Sequence, residues 1–196
     1  MRNAISITAV LLAACSGCDD ETTNAPEYIT TVQLAFMPAS GTPVMAEFDD
    51  PDGDGGNPGT SQPVNLANAT TYTLTVKFLN RLETPEEDIT PEVSDEGFQH
   101  QLFFTGTAVN GPATTNPSAP LTHSYADMDS NGLPVGLTNT IVAATGTGTL
   151  TVTLRHMPPE LPPEKSADSA TQVRTGGFAA IGGSTDAQVD FAVTVQ

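Results

Sequence analysis

The feature that most constrains the fold is a two-residue alternation of apolar and polar side chains that recurs along most of the chain. Val32, Leu34 and Phe36 alternate with Thr31, Gln33 and Ala35; Tyr72, Leu74, Val76 and Phe78 alternate with Thr71, Thr73, Thr75 and Lys77. The same period runs through 44–48, 98–104, 121–125, 150–156 and 189–195. Successive side chains of a strand point to opposite faces, so this is the pattern of half-buried strands. Gly- and Pro-rich stretches at 53–63, 110–120 and 158–163 separate the runs, as turns do. With no convincing amphipathic helix, the pattern predicts an all-β fold: an antiparallel, immunoglobulin-like sandwich of about seven to nine strands. The runs 98–104 and 150–156 are strongly apolar on one face and are expected to be central strands. The stretch 83–96, rich in Asp and Glu and holding Pro85 and Pro91, reads as a loop with room for one helical turn.

The first residues carry a different signal. Arg2 precedes an apolar run from Ala4 to Ala14 that is too short to span a bilayer and that ends in small residues, as secretory leaders do. Leu12-Ala13-Ala14-Cys15 is similar to the bacterial lipobox, whose cysteine is lipidated and becomes the new N-terminus. The expected division is therefore a leader at 1–14, a lipidated acidic tether at 15–27 and a sandwich domain at 28–196. Cys15 is the expected acylation site and Cys18 the alternative. Asp19, Asp20 and Glu21 resemble the export signal of surface lipoproteins. The protein is thus expected in the bacterial envelope, an outer-membrane lipoprotein facing the periplasm or the cell surface. No cysteine follows Cys18, so the domain has neither disulfides nor a cysteine zinc site.

Six Lys and Arg against 23 Asp and Glu give a net charge of −17. Such a field repels nucleic acid and concentrates cations. No Gly-x-Ser-x-Gly elbow, phosphate-cradling glycine loop or His-Glu-x-x-His occurs, so the expectation is a non-enzymatic protein.

Two loops carry cation-binding patterns. Asp50, Asp52 and Asp54 are spaced D-x-D-x-D-G, and Asp127, Asp129 and Asn131 are spaced D-x-D-x-N-G. Alternating oxygen donors converge on Ca²⁺ while glycine permits the sharp turn. The bidentate glutamate of an EF-hand is missing, since Ser61 and Thr138 hold the twelfth positions. The alternative is that Asp, Asn and Gly simply make good turns. The three histidines form a second constellation, each in register with an apolar strand face. His100 aligns with Phe98, Leu102 and Phe104, His123 with Leu121 and Tyr125, and His156 with Leu150, Val152 and Leu154. An inward histidine is held neutral and is free to bind a metal or accept a hydrogen bond. Glu96 lies four residues before His100, and Met157 follows His156. These residues suit either a nitrogen–sulfur copper site or a nitrogen–carboxylate zinc site. Lys165 and Arg155 are the competing partners for Glu96.

The segment Glu96-Gly97-Phe98-Gln99-His100-Gln101-Leu102-Phe103-Phe104 resembles an acidic-then-His-Gln-x-Phe-Phe signature of a family of small bacterial envelope lipoproteins. Residues 125–137, the run 151–156 with Pro158 and Lys165, and the closing 182–186 and 189–191 are similar to its other signatures. Gly97 and Phe98 stand where that family is acidic. The family often carries the label "type 1 periplasmic binding fold superfamily", a fold of repeated βαβ units that this chain has no helices to build. The resemblance implies an envelope lipoprotein and no particular activity. Two classes of function follow. One is a lipid-anchored binding module for a metal ion or small ligand, accessory to an outer-membrane transporter. The other is a structural or adhesive surface domain with calcium-rigidified loops.

Overall fold

The computed structural model describes residues 28–53 and 56–196; Cys15, Cys18 and Asp54 lie outside the described residues. The chain forms an all-β sandwich of two sheets. Its elements run β1 (Thr31–Pro38), β2 (Val44–Asp49), β3 (Thr60–Ser61), β4 (Val64–Leu66), β5 (Thr70–Asn80), β6 (Glu87–Asp88), α1 (Thr90–Asp95), β7 (His100–Thr105), β8 (Val109–Asn110), β9 (Leu121–Tyr125), β10 (Thr138–Ala143), β11 (Gly146–His156), α2 (Ser169–Gly176), a 3-10 turn (Phe178–Ala180) and β12 (Ser184–Val195). Among the described residues, eight strands have five or more residues and four have two or three. The larger sheet has the order β3-β2-β1-β5-β10-β9-β8, with β6 also on β5; the smaller has the order β4-β12-β11-β7. Pairing is antiparallel except for two short parallel contacts, β4 with β12 and β8 with β9.

The alternation decides which faces meet. Val32, Leu34 and Phe36 of β1 and Leu74, Val76 and Phe78 of β5 face Leu102, Phe104, Leu150, Val152, Leu154, Phe191 and Val193 across the sandwich, all essentially buried. A second, smaller core lies on the outer face of the four-stranded sheet. There Phe103 and Met157 pack against Ala170 and Val173 of α2 and against Ile181. The small sheet is therefore covered on both faces, and this is why His100–Phe104 and Val152–His156 are buried at every position.

Several expectations need correction. β7 is the edge of its sheet, not a central strand. Its edge is closed by the Leu102 amide donating to the Val135 carbonyl (2.7 Å) and the Tyr125 hydroxyl donating to the Leu102 carbonyl (2.7 Å). Phe98 precedes the strand and is exposed. β10 is an additional strand whose inward set is Asn139, Ile141 and Ala143. A buried asparagine and an outward Val142 mask its alternation. The acidic stretch contributes the two-residue β6 and the six-residue helix α1, less than two turns, which plugs Val93 into the main core.

Candidate metal centre

His100 is the first residue of β7 and His156 the last of β11, and the antiparallel register sets them directly opposite one another. Cross-strand partners share a face. The two imidazoles stack with centroids 4.6 Å apart and planes 13° apart. Glu96 closes the chain turn that enters β7. Its carbonyl accepts the Gln99 amide (2.9 Å) and the His100 amide (3.2 Å), while its carboxylate is steered by the Gln99 side-chain amide (2.6 Å). One ligand atom each from Glu96, His100 and His156 lie within 4.8 Å of one another. The Glu96 carboxylate stands 4.0 Å from His100 Nδ1.

The electrostatics keep these imidazoles neutral. Burial, reinforced by the neighbouring His156, pushes His100 down to about 4. Burial lowers His156 as well, against the attraction of Glu96 and Glu160. A neutral imidazole has one nitrogen lone pair to offer, and in both residues Nε2 is buried with no hydrogen-bond partner. Two imidazoles and a half-exposed carboxylate make a donor set suited to Zn²⁺ or Cu²⁺.

A neighbouring residue that sequence reasoning passed over completes the cluster. Between β11 and β12, Leu154 faces Ala187 but Arg155 faces Thr185, so Asp186 is the extra residue of a β-bulge. Its side chain is fully buried, its Oδ2 stands 3.8 Å from His100 Nε2, and neither oxygen has a donor. Burial pushes Asp186 up to about 6, opposed by the charge of Arg155. Asp186 is out of parity with Ala187, Val189 and Phe191, so alternation alone sends it to solvent. Gly183, at φ +76°, lets the start of β12 pass against the His156 carbonyl, where a Cβ would collide.

The remaining expected site residues lie elsewhere. Met157 packs in the second core with Phe103 and is no ligand of this cluster, which removes the sulfur donor. His123 lies apart in the core: its Nε2 bonds Asn139 Oδ1 (2.9 Å), its Nδ1 has no partner, and its ring lies against Phe104 and Tyr125. Burial pushes it down to about 4 as well. Neither Lys165 nor Arg155 pairs with Glu96. The buried Lys165 ammonium donates to Asp129 Oδ2 (2.8 Å) and the Gly97 carbonyl (2.6 Å). Arg155 donates to Thr185 Oγ1 and to the Gly182 and Gly183 carbonyls, each at 2.7 Å.

The second Asp loop is held by donors rather than open to a cation. Asp127 accepts the amides of Gly136, Leu137 and Thr138, and Asp129 accepts those of Asn131 and Leu133 besides Lys165. An ammonium hydrogen-bonded to Asp129 repels a divalent ion, so this loop is a turn that braces the Glu96–Gly97 segment through Lys165. The first loop differs. Asp50 and Asp52 each keep a buried oxygen without a donor, and Asn57 holds the other oxygen of Asp52. No family model matches the chain, and no curated protein or solved structure matches it.

Proposed function

We propose that this is a lipid-anchored envelope binding module that captures a divalent transition metal, Zn²⁺ or Cu²⁺, through Glu96, His100 and His156. One observation carries the reading: one ligand atom from each of Glu96, His100 and His156 lies within 4.8 Å of the others, and burial holds both imidazoles neutral. Imidazole and carboxylate donors without sulfur match the borderline ions. The half-exposed Glu96 leaves a route for entry. The net charge of −17 raises the local concentration of cations. The leader and Cys15, with Cys18 as the alternative, supply the membrane attachment, and an outer-membrane transporter is the partner to which such a module would deliver its ion.

The test is metal titration of the purified protein by calorimetry at pH 7.5 and 5.5. Binding is expected to be tighter at pH 7.5, because a metal competes with protons for imidazole. His100→Ala and His156→Ala are each expected to abolish it while His123→Ala retains it. Equal affinity in wild type, His100→Ala and His156→Ala would end the reading. A second reading, a surface domain rigidified by calcium, keeps support only at the first loop, where Asp50 and Asp52 hold donor-free oxygens.

A further inference from the structure

The metal reading uses His100, His156 and Glu96 and leaves Asp186 without a task. A fully buried carboxylate with two unpartnered oxygens is costly, since such a group ordinarily finds donors. It is also placed by a device rather than by the regular pleat. The bulge opposite Leu154 and Arg155 inserts one residue, and bulges re-aim side chains. The side chain so turned has His100 Nε2 3.8 Å away, itself buried and unpartnered.

The two nitrogens of His100 thus face different carboxylates, Nδ1 towards Glu96 and Nε2 towards Asp186. Which nitrogen carries the hydrogen is decided by what waits on each side. Nδ1 stands 3.3 Å from the Glu96 carbonyl, but that oxygen already accepts the amides of Gln99 and His100, one for each lone pair. Asp186 accepts from nothing. We propose that Asp186 is the positioning residue of this site: it accepts the Nε2–H of His100 and so holds the ring in the tautomer whose Nδ1 lone pair is left on the Glu96 side. Closing 3.8 Å to hydrogen-bond length takes a movement of about 1 Å. A metal-ligating imidazole that donates its other N–H to a carboxylate is fixed in orientation and is a more basic ligand. Asp186 does not touch the ion; it acts through His100.

The consequence for affinity rests on the metal-binding reading, whereas the tautomer belongs to the metal-free protein, so the two fail separately. Two-bond ¹H–¹⁵N spectra of the imidazoles in metal-free protein are expected to show His100 as the Nε2–H tautomer. The Nδ1–H tautomer would overturn the proposal. Asp186→Asn is expected to weaken Zn²⁺ binding, measured in competition with a chelator, by about 10–100-fold. Unchanged Zn²⁺ affinity in Asp186→Asn would also overturn it. A wild-type protein that binds neither Zn²⁺ nor Cu²⁺ would remove the proposed function, and the wild-type spectrum would then decide the Asp186–His100 contact by itself, even if Asp186→Asn failed to fold.

Discussion

Two neighbouring regions of the sandwich bury polar side chains in opposite ways. Around Asp127, Asp129, His123, Asn139 and Lys165, most groups meet a partner: amides cover the carboxylates, Lys165 neutralises Asp129, and Asn139 takes His123 Nε2 and donates to the Gly136 carbonyl (2.7 Å). His123 Nδ1, beside Gly111, and Gln101 Oε1 on the adjoining strand are left over there. At the ends of β7, β11 and β12, by contrast, His100 Nε2, His156 Nε2 and both Asp186 oxygens have none. A closed network serves the fold, because each group already holds the partner it would otherwise seek. An open one stores unpaired donors and acceptors that a ligand can satisfy. Residue type does not separate the two regions, since both contain histidine and aspartate. Hydrogen-bond completion does.

The largest expected effect breaks the closed region. Lys165→Met removes the cation from a buried pair and leaves Asp129 with two amides but no counter-charge, a change that costs about 3 kcal/mol. Urea unfolding of this variant against wild type measures it. A loss below about 1 kcal/mol would show that the pair is wetter and looser than its 2.8 Å contact implies.

The next effect concerns acid. His123 is lowered from 6.5 to about 4, so its contribution is full above 6.5 and is lost as the pH falls towards 4. The shift corresponds to about 3 kcal/mol at 1.36 kcal/mol for each pH unit. In the open region His100 is lowered similarly, but Asp186 is raised from 3.8 to about 6. The Asp186 penalty grows as the pH rises from 3.8 to about 6 and is relieved on acidification over the same range, so it offsets much of the His100 loss. The closed region is therefore expected to dominate acid sensitivity. His123→Phe, which keeps the ring volume and removes the titration, should flatten the urea midpoint between pH 6.5 and 4. A midpoint that still falls as steeply would transfer the sensitivity to the His100–His156 pair.

The smallest effect is at the loops. Asn131→Ala should melt at the same temperature in millimolar Ca²⁺ and in chelator as wild type does, because amides and Lys165 already hold Asp127 and Asp129. A Ca²⁺-dependent rise in wild type that Asn131→Ala removes would turn this loop from a brace into a cation site. A rise that Asp52→Asn removes would instead place calcium at the first loop.

The sequence by itself determined the layers. Alternation at Val32–Phe36, Tyr72–Phe78, Leu150–Leu154 and Val189–Val195 leaves one apolar face per strand, and such faces are buried only by packing sheet on sheet. It also brought out Glu96, His100 and His156, because a histidine in register with leucine and phenylalanine must point inward. Three things were decided only by the tertiary structure. Met157 and His123 show the same local signal as the site residues, yet Met157 falls on the far side of the small sheet under α2 and His123 meets Asn139. Asp127 and Asp129 read as cation ligands until residues 10 or more positions away supply their donors, Thr138 to Asp127 and Lys165 to Asp129. Asp186 reads as a surface residue, since a one-residue bulge reverses the parity from which its direction is inferred. Side-chain direction along a strand is a local property with a period of two, and a sequence carries it openly. Whether an inward polar group finds a partner depends on segments distant in the chain, and only the folded register brings them together.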